Sequence, residues 1–121
     1  MSAPPPRRSR LEIEDLGKVI AIKFIDKKIL DEQNIQTIGE QLFSLVDTDK
    51  RLWLILDFIG VEYLASTMLV KLLTLHKKVE AERGRLVLCG IDPVIYEVFE
   101  MTKLDRFFNC TKTREAALAT F

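Results

Sequence analysis

The amino-acid sequence predicts a single α/β domain whose mixed β-sheet opens with a β-hairpin. Near its start the chain alternates apolar and polar residues, which is the period-2 pattern of strands. Further along, two short apolar runs are each followed by a segment with helical spacing, which is typical of β-to-α units. The chain has 121 residues, within the usual size of one domain. The predicted order of elements is β-β-α-β-α-β-α-β-α.

The hairpin is predicted from the stretch LEIEDLGKVIAIKFI, which alternates on both sides of a turn from Asp15 to Lys18. The preceding residues, MSAPPPRRSR (1–10), combine proline and charge without an apolar run, so we expect a disordered tail and no secretory signal. After the hairpin, the segment IDKKILDEQN breaks the pattern. Helical spacing then predicts a helix with Asn34 as N-cap and an end near 47–49; its inner face is Ile35, Ile38, Leu42, Leu45 and Val46.

The stretch RLWLILDF (51–58) is nearly continuous in large apolar residues, as expected for a central strand covered on both faces. Beyond it, an apolar stripe predicts an amphipathic helix from Ser66 to Arg83, with Gly84 at its C′ position. The residues of that stripe are Leu69, Leu72, Leu73, His76 and Val79.

The remaining elements are a strand in RLVLCG (85–90), a helix to Met101 and a last strand in RFFNC (106–110). Asp92 followed by Pro93 is the N-cap and first-turn pattern of the helix. Its predicted inner face is Val94, Ile95, Val98 and Phe99. Thr113 is predicted to begin a short C-terminal helix.

Composition argues against several classes of function. Lys plus Arg and Asp plus Glu number 18 each, so the net charge of zero supplies no field for nucleic acid. The longest apolar runs fall far short of the roughly 20 residues that cross a bilayer, so we expect no membrane insertion. The two cysteines, Cys89 and Cys110, have no zinc or redox spacing and are expected to be core residues in a reducing cytoplasm.

The residue inventory also argues against an enzyme. A catalytic triad needs a histidine within reach of its nucleophile, yet the single histidine, His76, lies ten residues beyond Ser66 in the same predicted helix. At 1.5 Å per residue their Cα atoms would be about 15 Å apart. Neither a cluster of metal ligands nor a glycine-rich phosphate loop is present in the sequence. We therefore expect no catalytic residues, no metal and no cofactor.

Two hydroxyls stand out in the stretch VEYLASTML, because Ser66 and Thr67 fall at a predicted helix start after the central strand. Ligand sites of open α/β sheets lie at this edge. Ser66 as an N-cap would have a purely structural role, with a contribution of about 1 kcal/mol. Alternatively, an exposed hydroxyl at a helix N-terminus can accept a phosphoryl group, because free N–H groups and the helix dipole tolerate the anion. One residue can serve both roles.

The sequence resembles the STAS domain family of bacterial anti-sigma factor antagonists, also called anti-anti-sigma factors. The resemblance covers residues 11–121 and is strongest over LILDFIGVEYLASTMLVKLLTLHKKVEAERGRLVLCGI. That stretch is similar to the family's strand ending in Asp, its D-S-S-G-like step, its Leu-rich helix and its next strand. The resemblance implies a STAS-like domain with amphipathic helices packed mainly on one face of the sheet.

The resemblance also implies a non-enzymatic cytoplasmic regulator that binds an anti-sigma factor with serine kinase activity. In the family that kinase phosphorylates the motif's serine, which breaks the complex, and a PP2C-type phosphatase restores it. On this chain the phosphorylated serine falls on Ser66, with Thr67 at the second hydroxyl position. The predicted partner-binding surface consists of Asp26, Asp57, Tyr63, Leu64, Ser66 and Met68.

The motif departs from the family pattern at two positions, where Ala65 replaces the Asp and Met68 replaces the Gly. We expect Met68 to occupy space that glycine would leave open to a kinase. These departures favour one alternative, a constitutive STAS interaction module, such as a stress-signalling scaffold or a transporter-complex subunit, that is not phosphorylated. A small ligand-binding or enzymatic α/β domain is a third hypothesis, which would require a polar pocket.

Overall fold

The computed structural model describes residues 10–121, so the predicted tail lies outside the described residues apart from Arg10. The strands are β1 Leu11–Asp15, β2 Val19–Phe24, β3 Lys28–Ile29, β4 Trp53–Asp57, β5 Tyr63–Leu64, β6 Arg85–Cys89 and β7 Asn109–Thr111. The helices are α1 Glu32–Asp47, α2 Ser66–Ala81, α3 Pro93–Met101 and α4 Arg114–Leu118, with a 3-10 turn at Leu104–Arg106.

The main sheet has the strand order β1-β2-β4-β6-β7. Strands β1 and β2 pair antiparallel as a hairpin, while β2 with β4, β4 with β6 and β6 with β7 pair parallel. The predicted mixed sheet, its opening hairpin and its central strand β4 are therefore confirmed. The parallel neighbours are joined through α1, α2 and α3, because strands that run the same way need a crossover.

Alternation along β4 divides the interior into two apolar layers. Leu54 and Leu56 face the larger layer, into which α1, α2 and α3 pack, whereas Ile55 faces a smaller layer around Ala117 of α4. Both layers exclude water, since all three β4 side chains are fully buried. Helices thus lie mainly on one face of the sheet, as predicted.

Helix α1 begins earlier than the sequence indicated. Its N-cap is Asp31, whose Oδ1 accepts hydrogen bonds from the backbone N–H groups of Gln33 (2.8 Å) and Asn34 (3.0 Å). The prediction of Asn34 as N-cap is wrong, because the carboxylate three residues earlier already satisfies two free N–H groups. The five predicted inner residues of α1 are all buried.

The apolar stripe of α2 is shifted relative to the prediction. Leu69, Leu72 and Val79 are buried as expected, and Leu75 completes the buried set together with Met68. Leu73 and His76 are only half-buried at its margin.

The C-terminal part shows two further differences. Helix α3 starts at its predicted Asp92 cap, but only Ile95 and Phe99 of its four predicted inner residues are buried, because a nine-residue helix presents a narrow stripe to the core. Val94 and Val98 are 69% and 42% exposed. The last strand begins only at Asn109, three residues later than predicted. The 3-10 turn comes just before it, and Leu104 in that turn and Phe108 after it pack into the core. Helix α4 begins after Thr113, whose Oγ1 accepts from the N–H of residue 116 at 3.1 Å.

Candidate functional site

A small second sheet holds the start of α2. Strands β3 and β5 pair parallel, with Lys28 opposite Tyr63 and Ile29 opposite Leu64. The N–H of Ala65 donates to the carbonyl of Ile29 at 2.9 Å. The residues before Ser66 are therefore fixed by main-chain bonds, which positions the first turn of α2. Each strand has two residues, too few for a period-2 pattern to reveal them in the sequence.

The loop from β4 to β5 is shaped by Asp57. Its Oδ1 accepts a hydrogen bond from the backbone N–H of Ile59 at 3.1 Å. Gly60 has a φ of +83°, in the left-handed region that favours glycine. Phe58, two residues before it, and Val61, the residue after it, are buried. The loop is thereby folded back onto the core.

The Asp57 side chain lies on the other face of the main sheet from α2. Strand alternation places it with Ile55, towards α4, where it lines a groove together with Arg114 and Glu14. Asp57 thus supports the neighbouring loop, but it is not on the face of the sheet covered by α2.

Ser66 and Thr67 are the first two residues of α2, and both are exposed. The N-cap position belongs to Ala65, and within residues 10–121 no side chain makes a capping hydrogen bond to this helix. The interpretation of Ser66 as an N-cap is therefore wrong. Because the preceding residue already has the extended backbone of a cap (φ −71°, ψ 150°), the Ser66 hydroxyl is left projecting at the helix start.

Four large apolar side chains on the segments next to this helix start are each more than half exposed: Leu30, Ile59, Tyr63 and Val70. We call them the carboxyl-edge patch. They come from the segment after β3, the β4–β5 loop, β5 and the first turns of α2. Lys28 holds its Nζ 5.4 Å from the centroid of the Tyr63 ring. The sequence did not single out three of these residues, because isolated apolar side chains in loops carry no periodic signal.

The predicted partner-binding residues differ in their exposure. Met68 is fully buried in the larger apolar layer, because the helix turns its third residue inward, so its place on the predicted surface is wrong. Asp26 lies in an ion pair with Arg10 (Nη1–Oδ1 3.1 Å), and its side chain is 20% exposed. Leu64 is half-buried against the core. Tyr63 and Ser66 are the exposed members of the set.

A shallow groove between α1 and α2 runs beside Thr67. It is lined by Gln36, Val70 and Lys71, among others, and the Nζ of Lys71 donates to Oε1 of Gln36 at 3.1 Å. The lysine stem passes over Gly39, where an added Cβ would lie 3.0 Å from its Cδ. Both helices contribute polar and apolar side chains to the groove.

The titratable side chains outside this helix start do not form a metal site within residues 10–121, and both cysteines are neutral thiols. In the described part of the chain, no three His, Cys, Asp or Glu side chains cluster as metal ligands would. Burial raises the pKa of Cys89 to about 12, with the Asp57 carboxylate as a further cause, and burial raises the pKa of Cys110 to about 11. His76 lies at the edge of the buried face, with its Nε2 3.1 Å from Oε1 of Glu80.

Of the helices in residues 10–121, none is both long and apolar enough to span a membrane.

Comparison with known proteins adds a family to this geometry. The family model for the STAS domain matches residues 12–117. The chain is 31% identical over 93 residues to BtrV of Bordetella bronchiseptica, named as a candidate anti-sigma factor antagonist; the match covers 77% of this chain and 79% of that protein.

Two solved structures share the fold. An anti-sigma factor antagonist from Mycobacterium paratuberculosis has a TM-score of 0.80 at 22% identity, covering 98% of this chain and 97% of that chain. The Bacillus cell fate determinant SpoIIAA, in its phosphorylated form, has a TM-score of 0.70 at 19% identity, covering 91% and 97%. Since the family model spans the main sheet from β1 to α4, this chain belongs to the STAS domain family.

Proposed function

We propose that this protein is a cytoplasmic, non-enzymatic anti-sigma factor antagonist. It binds an anti-sigma factor that has serine kinase activity, and phosphorylation of Ser66 by that partner ends the interaction. A PP2C-type phosphatase reverses the modification. The observation that carries the proposal is the exposed Ser66 at the uncapped start of α2, next in the chain to the segments that carry the carboxyl-edge patch.

The surroundings of Ser66 suit both states of such a switch. Before modification, the carboxyl-edge patch offers a partner exposed apolar side chains, of which Tyr63 has the ring and hydroxyl that are frequent at interface centres. Relatives of similar sequence or fold carry the name of anti-sigma factor antagonist, and SpoIIAA has a phosphorylated form. A docking surface beside a modifiable hydroxyl is the arrangement that the function needs.

A phosphoryl group on Ser66 would be tolerated by the fold. The first turn of α2 contains no acidic residue, and its free N–H groups and helix dipole favour a negative charge. The added charge of about −1.5 to −2 would lie among apolar side chains that a partner must desolvate. The domain would stay folded while the docking surface changes.

The two departures from the family motif affect this switch differently. Met68 packs into the core rather than towards solvent, so it does not occupy the space in front of Ser66. Ala65 removes a carboxylate beside the acceptor, which lowers the local negative charge. Neither change removes access to the hydroxyl.

The first experiment measures phosphorylation directly. The protein purified from its own host, with and without phosphatase treatment, is analysed by intact mass and phosphopeptide mapping. We expect one phosphoryl group on Ser66, lost in Ser66→Ala and retained in Thr67→Ala. Phosphate that remains in Ser66→Ala and disappears in Thr67→Ala would assign the switch to Thr67.

A second experiment separates charge from shape in binding. The anti-sigma factor captured with the wild-type protein is titrated with Ser66→Asp and with Ser66→Asn, which have side chains of nearly equal size. We expect the Asp variant to bind at least about tenfold more weakly, a loss of about 1.4 kcal/mol, and the Asn variant to bind like the wild type. Tyr63→Ala should weaken binding, whereas Met101→Ala, an exposed apolar residue on α3, should not.

The constitutive alternative predicts the opposite results. A chain that carries no phosphate under any growth condition, and whose Ser66→Asp variant binds its partner normally, would be a STAS interaction module without a switch. The observation that favours this alternative is Ala65, which stands where the family motif has an Asp before the serine.

A further inference from the structure

A pocket that Ser66 does not line lies between the start of α3 and strand β7. Its volume is about 640 Å³, and it is lined by Ile91, Pro93, Tyr96, Cys110, Thr111 and Lys112. It is at the carboxyl ends of the parallel strands β6 and β7, where open α/β sheets bind ligands. Its size is in the range of small-molecule sites, roughly 300 to 1,000 Å³.

The wall formed by α3 is apolar and fixed in place. The ring of Tyr96 is stacked on the ring of Phe99, with an interplanar angle of 7° and a centroid distance of 6.5 Å. Phe99 is itself fully buried, so it anchors the tyrosine. Ile91 is half-buried against the core and extends the apolar wall. A ligand here would meet a preformed apolar surface.

The opposite wall carries a single charge. Burial raises the pKa of the Cys110 thiol to about 11, so this group is neutral at pH 7. The hydroxyl of Thr111 donates to the carbonyl of Thr113 at 2.9 Å and is already engaged. Of the six lining residues, Lys112 alone is charged at neutral pH, and none of the ion pairs among residues 10–121 includes it.

We propose that this pocket binds a small amphipathic monoanion, a carboxylic acid with an apolar body. The apolar body would pack on Tyr96 and Ile91, and the carboxylate would pair with Lys112. Lys112 supplies the one ammonium group of the lining, and no carboxylate lines the pocket, so an anion is the complementary ligand. Burial, and then the charge of Asp105, raise the pKa of Cys110, so this carboxylate lies near the pocket without lining it. The pocket shares no lining residue with the carboxyl-edge patch, so substitutions in the two can be made separately.

Decanoate is a suitable probe, with decanol as its uncharged counterpart. Titrated into the full chain and followed by amide chemical shifts, decanoate should give saturable shifts centred on Ile91, Tyr96 and Lys112. Decanol should bind more weakly, because it has no charge to pair with Lys112.

Two charge reversals test the role of the lysine. Lys112→Glu should weaken decanoate binding by about fivefold or more and leave decanol unaffected. Lys77→Glu, which reverses an exposed lysine on α2, should leave both titrations unchanged. A melting curve of each variant by circular dichroism checks that the fold is retained.

Three results would overturn the assignment: no saturable shift with decanoate, shifts centred away from α3 and β7, or equal decanoate affinity in Lys112→Glu and wild type. Because the decanoate and decanol comparison needs no substitution, the test remains decisive even if a variant fails to fold.

Discussion

Ser66 is accessible because the residue before it occupies the cap position. Ala65 has the extended backbone of an N-cap but no side-chain acceptor, so the first N–H groups of α2 have no side-chain partner among the described residues. A helix start without a cap is less stable by about 0.5 to 2 kcal/mol than one with a cap. The position thus combines an exposed hydroxyl with an anion-accepting helix end.

Restoring a cap provides the first stability prediction. Ala65→Thr should raise the free energy of unfolding by about 1 kcal/mol relative to Ala65→Val, because only the threonine oxygen can accept from the first turn. The two side chains have nearly the same shape, so packing against the core cancels in the comparison. Urea denaturation of the two variants measures the difference. Equal midpoints would mean that Ala65 is not the cap.

At the scale of the element, the end of α2 shows how a helix can close without glycine at the expected place. The N–H of Gly84 donates to the carbonyl of Val79 (2.8 Å), and the N–H of Arg83 donates to that of Glu80 (2.9 Å), which is the Schellman pattern. Arg83 is therefore the left-handed C′ residue, with φ 59°, and the prediction of Gly84 at C′ is wrong.

Glycine is needed at the next position for a steric reason. A Cβ on Gly84 would lie 2.3 Å from the carbonyl oxygen of Leu52, at the point where the chain passes under the start of β4. The same contact brings the N–H of Arg85 to that carbonyl at 2.7 Å. The glycine in the sequence marks a close approach of two backbones, and a pattern search cannot distinguish that from a helix cap.

Substitutions at Arg83 and at Gly84 should change the stability of the fold in opposite directions. Arg83→Gly should stabilise the fold by roughly 0.5 to 1 kcal/mol, because the left-handed conformation is strained for any residue with a Cβ. Gly84→Ala should destabilise it by more than about 1 kcal/mol through the clash with Leu52. Arg83→Ala, which keeps the strain and removes the charge, is the control and should give no gain. A loss of stability in Arg83→Gly would contradict the assignment of Arg83 as the C′ residue of α2.

At the scale of the whole molecule, an ion pair joins the turn of the opening hairpin to the segment between α1 and β4. Arg51, just before β4, donates from Nη1 to Oδ2 of Asp15 (3.0 Å) and from Nη2 to its Oδ1 (3.2 Å). Nη2 also donates to the carbonyl of Gly17 at 2.7 Å. The turn between β1 and β2 is thus tied to the segment that follows α1.

This link predicts a dependence of stability on pH. The hydrogen bonds from Arg51, and then from the Gly17 N–H, lower the pKa of Asp15 from its usual 3.8. A lowered pKa means that the stabilisation is present above pH 3.8 and is lost as the pH falls through the folded-state value. The wild type should therefore be more stable than Asp15→Asn near neutrality, and the difference should shrink below pH 3.8.

Denaturation curves collected from neutral pH down to pH 2.5 check this expectation. In an Arg51→Gln background, Asp15→Asn should have a smaller and flatter effect, because the largest cause of the pKa shift is gone. A difference that grows as the pH falls would contradict the assigned sign.

Much of the fold and one part of the site were predictable from the spacing of apolar residues. Alternation identified the strands of the opening hairpin, continuous apolar runs identified β4 and β6, and helical spacing identified the buried face of α1. The Asp92–Pro93 pair marked the start of α3, since a cap followed by proline carries a local signal. In the site, the position of Ser66 at the start of α2 followed from the same patterns.

Long-range contacts decided the rest. Whether Asp31 or Asn34 caps α1, and whether Arg83 or Gly84 closes α2, depends on the path of the flanking chain, since both residues of each pair suit the role locally. Strands β3 and β5 exist only because each supplies the other's partner. The sequence by itself determined the order and faces of the main elements. Tertiary packing turned Met68 into the core and left Ser66 exposed, because burial is set by what the rest of the chain brings alongside.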